Sequence, residues 1–143
     1  MLFVDVQVDY IHVMELTREN MCVVAGILDM ITDFQEVTRH STPVLYYDTT
    51  FCLGDFYVSA LLYRNDIFEG APVMPLLLLV HKRRTTESHE LVLKWLRRLT
   101  GVSTAIFVVD REVAITRAID SVFPQSTVVY CWNHILGDVR VSA

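Results

Sequence analysis

Apolar and polar positions change period along this chain, and the changes mark its elements. From Phe3 to Val13 they alternate at a period of two, the pattern of a half-exposed strand at a sheet edge. Thr17 can then cap a helix whose apolar stripe is Met21, Val24, Ala25, Leu28 and Ile31, ending before Pro43. Pro43 opens a strand, Val44 to Phe51, apolar and aromatic in its first half. A second strand runs from Phe56 to Tyr63 and a third from Pro72 to His81. Short connections make these three an antiparallel meander.

The period then becomes helical. Thr85 or Thr86 caps a helix with Glu87 and Glu90 in its first turn, Lys94, Arg97 and Arg98 in its last turns, and Gly101 after it. Its buried face is expected to be Leu91, Val92, Trp95, Leu96 and Leu99. Thr104 to Val109 reads as a fourth strand, and Arg111 to Val122 as a helix with Ile115, Ala118, Ile119 and Val122 on one stripe. Pro124 stops it, and Ser126 to Trp132 reads as a fifth strand. The order from Pro43 is β-β-β-α-β-α-β. Right-handed crossovers then give an α/β fold, a mixed five-stranded sheet ordered 3-2-1-4-5 and flanked by helices. Residues 43–143 form this core and residues 1–42 a strand-helix extension, in a single domain of 143 residues.

Strand order gives two carboxylates a common address. Asp48 and Asp110 each end an apolar run, on the first and fourth strands, which are expected to be parallel neighbours. Adjacent strands lie about 4.8 Å apart, so the pair would repel without a cation between them. Oxygen ligands of this kind suit Mg²⁺ or Mn²⁺. A plainer role stays open for each: Asp48 can accept hydrogen bonds from the following turn, and Asp110 can cap the helix after it.

Composition narrows the surroundings. The chain is 52% hydrophobic with a net charge of −5, so no domain-wide basic field for nucleic acid exists. Local clusters remain at Lys82-Arg83-Arg84 and Arg97-Arg98. The first suits phosphate contact, although a solvated turn is the commoner case. A mean hydropathy of +0.37 suggests a sheet covered on both faces, or a missing piece that covers one. The longest aliphatic run, Leu76 to Val80, is too short to span a bilayer, and the start carries no signal-peptide pattern. Three scattered cysteines fit a reducing, intracellular setting.

Several blocks, in order, carry a family resemblance. Tyr47-Asp48-Thr49-Thr50-Phe51 resembles the D-[TG]-T-[FY] block of the Mutator-like element (MULE) transposase domain. Glu87-Ser88-His89-Glu90 is similar to that family's helix start. Val109 to Ile115, followed by Ala118-Ile119 and Phe123-Pro124, resembles its second-aspartate block. Cys131-Trp132-Asn133-His134 matches its CxxH signature. The resemblance implies an RNase H-like core with a DDE carboxylate triad, in which Asp48 and Asp110 are catalytic and metal ligands for Mg²⁺ or Mn²⁺. It implies metal-dependent DNA phosphodiester cleavage and strand transfer, a nuclear location in a eukaryote, and DNA (transposon ends) as partner, with homo-oligomers conceivable. His134, Lys82, Arg83 and Arg84 are candidate phosphate contacts.

Cys131 and His134 are signature residues with no second pair at zinc-ligand spacing, so zinc is not expected. The family's third acid is a Glu well beyond CxxH. After the second-aspartate block the only acids here are Asp120, inside the expected helix, and Asp138. The sequence therefore reads as a truncated core, with a domesticated, catalytically inactive DNA- or protein-binding module as the alternative.

Overall fold

A computed structural model of the chain describes residues 2–6 and 9–131. β1 (Leu2–Val6), β2 (Tyr10–Leu16) and β3 (Met21–Ile27) form an antiparallel meander that precedes α1 (Leu28–His40). β4 (Val44–Leu53), β5 (Phe56–Arg64) and β6 (Val73–His81) form a second meander. Then come α2 (Thr86–Thr100), β7 (Ile106–Val109), α3 (Val113–Val122) and β8 (Thr127–Tyr130). All strands join one sheet in the order β1-β2-β3-β6-β5-β4-β7-β8, with β7 parallel to both β4 and β8.

Two expectations about the first forty residues are corrected. Among the described residues the sheet has eight strands rather than five, and the extension is three strands and a helix rather than one strand and a helix. Phe3 to Val13 is a hairpin, because the chain reverses between Val6 and Tyr10 with no Gly, Pro or Asn to signal the turn. Thr17 caps no helix. Its hydroxyl donates to the Asn20 carbonyl (3.1 Å) and accepts from the Asn20 amide (3.0 Å), closing the turn between β2 and β3. Met21, Val24, Ala25, Leu28 and Ile31 match a helical stripe, but burial follows period two, with Cys22 and Val24 inside. The β-branched pair Val23-Val24 favours the strand, and β3 gains a full partner in β6, with Val24 opposite Leu79.

α1, α2 and α3 lie in one layer on one face of the sheet, with α2 packed between the other two. Their buried side chains, among them Phe34, Leu93, Leu96 and Ile115, join Leu45, Tyr47, Leu61, Tyr63, Phe107 and Val109 in a single core. This follows from strand order. The crossovers β6–α2–β7 and β7–α3–β8 step in the same direction along the sheet, so right-handedness sends both helices to one side. Among the described residues no helix covers the opposite face. Tyr46, Asp48, Ala60, Leu62, Ile106 and Val108 are half-buried there, and Leu78 and Val129 are exposed. No helix among the described residues is long and apolar enough to cross a membrane.

Local chemistry agrees with the later elements. Thr85 caps α2, accepting from the Ser88 amide, and Gly101 closes it in the left-handed region at φ 75°. The buried face of α2 is Ser88, His89, Val92, Leu93 and Leu96, rotated from the expected one so that Leu91, Trp95 and Leu99 are only partly buried. The α3 stripe, Ile115, Ala118, Ile119 and Val122, is buried as read from the sequence.

Gly26 is the tight point of the β3–β6 seam. A Cβ there would sit 2.7 Å from Leu77 Cδ2 and 3.1 Å from the Leu76 carbonyl oxygen. Gly26→Ala is expected to cost about 1–3 kcal/mol through overpacking, read as a lowered urea midpoint at unchanged slope.

Candidate metal centre and the polar network behind it

The β4–β7 register brings the two aspartates together. Val44 to Tyr47 pair in parallel with Ile106 to Val109, ending at Tyr47 opposite Val109. The next residue on each strand is an aspartate. Val109 in turn pairs with Tyr130 of β8, and the Cys131 amide donates to the Val109 carbonyl at 2.7 Å. Asp110 and Cys131 therefore follow the last residues of β7 and β8, and Asp48 follows the last β4 residue paired with β7, while β4 itself runs on to Leu53 against β5. All three line one cleft of about 110 Å³, together with Tyr46, Ala60, Leu62 and Val108, on the face away from the helices. Strand carboxyl ends are where open α/β sheets take their ligands.

A β-bulge falls immediately after Asp48. Thr49 pairs with Ser59 and Phe51 with Val58, leaving Thr50 as the extra residue. Bulges bend a strand and re-aim the side chains beside them, so the Thr49-Thr50 step of the motif has a backbone role. Asp110 does not cap α3. That position is Glu112, which makes no side-chain cap bond, and Asp110 Oδ1 accepts from the Arg111 amide at 2.5 Å. Both carboxylates are half-buried. Among the described residues no group of three or more His, Cys, Asp or Glu could hold a metal ion. The donor set on view is two hard carboxylate oxygens and one thiol.

On the helix side of the same strand ends lies a chain of buried polar groups. Tyr47 and His89 are buried, and the Tyr47 hydroxyl meets His89 Nδ1 at 2.5 Å. His89 Nε2 faces Glu112 Oε1 at 3.5 Å, too long for a good hydrogen bond. Glu112 also receives a two-point contact from Arg84, with Nη2 to Oε2 at 2.7 Å and Nε to Oε1 at 3.2 Å. Arg84 stacks over the Tyr57 ring. Burial pushes the Glu112 carboxyl up, but His89 and Arg84 outweigh it and hold the group down at about 2. Burial pushes the Tyr47 hydroxyl far up, so it remains protonated.

A second branch joins Thr49 Oγ1 to Ser59 Oγ (2.8 Å), and Ser59 Oγ to His81 Nε2 (2.8 Å). His81 Nδ1 donates to the Arg83 carbonyl (2.7 Å), which fixes the tautomer, since a carbonyl can only accept. Burial lowers the His81 pKa, the Arg83 carbonyl only partly opposing it. The folded ring resists a proton that the unfolded chain takes up near 6.5. Stability is thus expected to fall as pH drops below that value. Thermal midpoints at pH 7.5 and 5.5 should differ less in His81→Gln than in the wild type.

Other sequence candidates are distributed differently. Lys82 and Arg83 are exposed on the loop after β6, with Arg83 held by Glu19 at 3.6 Å and by a backbone bond to Asn20. The guanidinium of Arg84 is committed to Glu112. Asp120 is exposed on α3. Trp132, His134 and Asp138 lie outside the described residues. The Tyr47–His89–Glu112–Arg84 chain was not foreseen. Its signal was a histidine inside an apolar stripe, with His89 beside Val92, Leu93 and Leu96, since a buried imidazole needs polar partners.

The family profile of the MULE transposase domain matches residues 44–138, well over half of the chain. The match begins with β4 and takes in both aspartates. No curated protein and no solved structure matches the chain. The ordered motifs on these strand ends and the span of the profile agree: the chain belongs to the MULE transposase domain family.

Proposed function

We propose that this chain is the RNase H-like catalytic core of a DDE-type transposase, acting on DNA phosphodiesters, with Asp48 and Asp110 as its first two metal ligands. The observation that carries this reading is the parallel register, which ends at Tyr47 and Val109 and leaves an aspartate next on each strand. Family membership supports action on DNA and a dependence on divalent metal in general terms.

The residues suit the ion. Two carboxylates just past the end of the β4–β7 pairing offer hard oxygen donors with room for water in the cleft. Bound there, Mg²⁺ or Mn²⁺ would supply Lewis-acid activation of a water or 3′-hydroxyl against the phosphodiester. The work of the chain is to hold the two carboxylates at strand spacing. The bulge at Thr50 turns the strand away after Asp48, and the exposed Lys82 and Arg83 are available to a DNA backbone. The third acid of the triad belongs outside the described residues, and a nuclear site of action follows if the host is eukaryotic.

Mn²⁺ titration followed by NMR and thermal shift tests the pair. Stabilisation of the wild type that disappears in Asp48→Asn and in Asp110→Asn is the expected result. A wild-type response that survives both substitutions, or no response in the full-length protein, removes the nuclease reading and leaves a DNA- or protein-binding module.

A further inference from the structure

We propose that His89, Glu112 and Arg84 are positioning residues, a clamp anchored on α2 and the loop before it that holds the two aspartate-bearing strand ends in mutual register. The inference rests on the reading of Asp48 and Asp110 as a ligand pair.

Asp110 lies in the connection 110–112, which belongs neither to β7 nor to α3. Among the described residues its carboxylate is bonded by the Arg111 amide of that same connection, so its position is no firmer than the connection itself. Glu112 makes it firm. It occupies the cap position of α3 but makes no cap bond, its side chain turning instead to Arg84 and His89. The other end of the chain grips β4, where His89 meets the hydroxyl of Tyr47, the residue before Asp48. One imidazole on α2 thus touches both routes.

A geometry of this kind is specific because it is costly to disturb. His89 is buried and Glu112 nearly so, at 0% and 15% side-chain exposure. A buried charge that loses its partner is left uncompensated. The two-point Arg84–Glu112 contact fixes an angle as well as a distance. Partners one step behind metal ligands hold ligand geometry in the same way in known metal sites.

The test uses the full chain with Arg84→Lys, which keeps the charge but loses the two-point fork, and Arg84→Met, which loses both. The direct reporter is hydrogen exchange of the Arg111 amide, whose acceptor is the Asp110 carboxylate. Exchange is expected to quicken about tenfold in Arg84→Met and less in Arg84→Lys, with amides of β5 and β6 unchanged. Mn²⁺ affinity should fall in the same order, about tenfold for Met, and the unfolding midpoint should fall further for Met than for Lys, since Met leaves Glu112 without its charged partner. A contact that supports the fold without placing Asp110 would lower the midpoint and leave Arg111 exchange and Mn²⁺ affinity at wild-type levels. If Arg84→Met does not fold, the milder Arg84→Lys decides alone.

Unchanged Arg111 exchange overturns the clamp, as does faster exchange with Mn²⁺ affinity within twofold of wild type. If the wild-type Mn²⁺ response survives in the Asp48→Asn and Asp110→Asn controls, the metal reading fails separately. The clamp is then decided by Arg111 exchange alone.

Discussion

In the full-length protein, Asp48→Asn and Asp110→Asn are each expected to lower metal-dependent DNA strand cleavage by at least ~10³-fold, about 4 kcal/mol of transition-state stabilisation. An amide is nearly the same size as a carboxylate but brings no negative charge to a divalent ion, so the fold should survive while the site does not. Asp110→Asn has a second expected effect of opposite sign. Its Oδ1 can still accept from the Arg111 amide, while one of two neighbouring negative charges disappears. In the presence of a chelator this variant should be more stable than wild type, by roughly 0.5–1 kcal/mol. Cleavage assays on nicked and blunt DNA, with urea unfolding in EDTA, read both. Cleavage retained in either variant would dismiss that aspartate as a ligand.

Glu112→Gln is expected to have the largest effect on stability, and the effect should depend on pH. The folded carboxyl sits at about 2, against an ordinary value of 4.5. A depressed carboxyl stabilises the fold above its unfolded pKa, and that stability is lost as pH falls from 4.5 towards 2. At 1.36 kcal/mol per unit the contribution is roughly 3 kcal/mol at neutral pH. The wild type should therefore lose stability steeply in this window, whereas Glu112→Gln should be weaker at pH 7 and flatter below 4.5. Urea midpoints at pH 7 and pH 3 make the comparison. Parallel curves for the two proteins would mean that Glu112 is not held as the structure has it.

The later two thirds of the fold was legible because its elements are punctuated. Pro43, Gly54, Gly101 and Pro124 stand at or near boundaries, and each strand carries an apolar run. The first forty residues lack such marks. The turn after Val6 has Asp9 but no Gly, Pro or Asn, and Met21 to Ile31 satisfies a helical period by coincidence. Pairing with β6, distant in sequence, decides it as a strand. The aspartate pair was legible for a similar reason: parallel neighbours place residues at equal depth, and both aspartates end apolar runs. The network behind them was not. It depends on the rotation of α2, and a helix whose stripe is read one position out of phase hides His89. Glu112 reads as an ordinary first-turn acid until Arg84 is brought to it across the fold.

The β3–β6 seam also orders events during synthesis. β3 leaves the ribosome before β4 and β5, yet its permanent neighbour is β6. Until residues 73–81 emerge, β3 presents a bare edge of backbone donors and acceptors, the kind of edge on which chains aggregate. α1 is in the same position, since Ile31, Phe34 and Val37 belong to a core whose sheet is not yet built. The nascent N-terminal hairpin therefore has to be shielded by a chaperone or folded late. A shortened chain beginning at residue 44, where the family match begins, would escape that wait. It would instead leave β6 as a permanent edge, with Leu77 and Leu79 stripped of their partner strand.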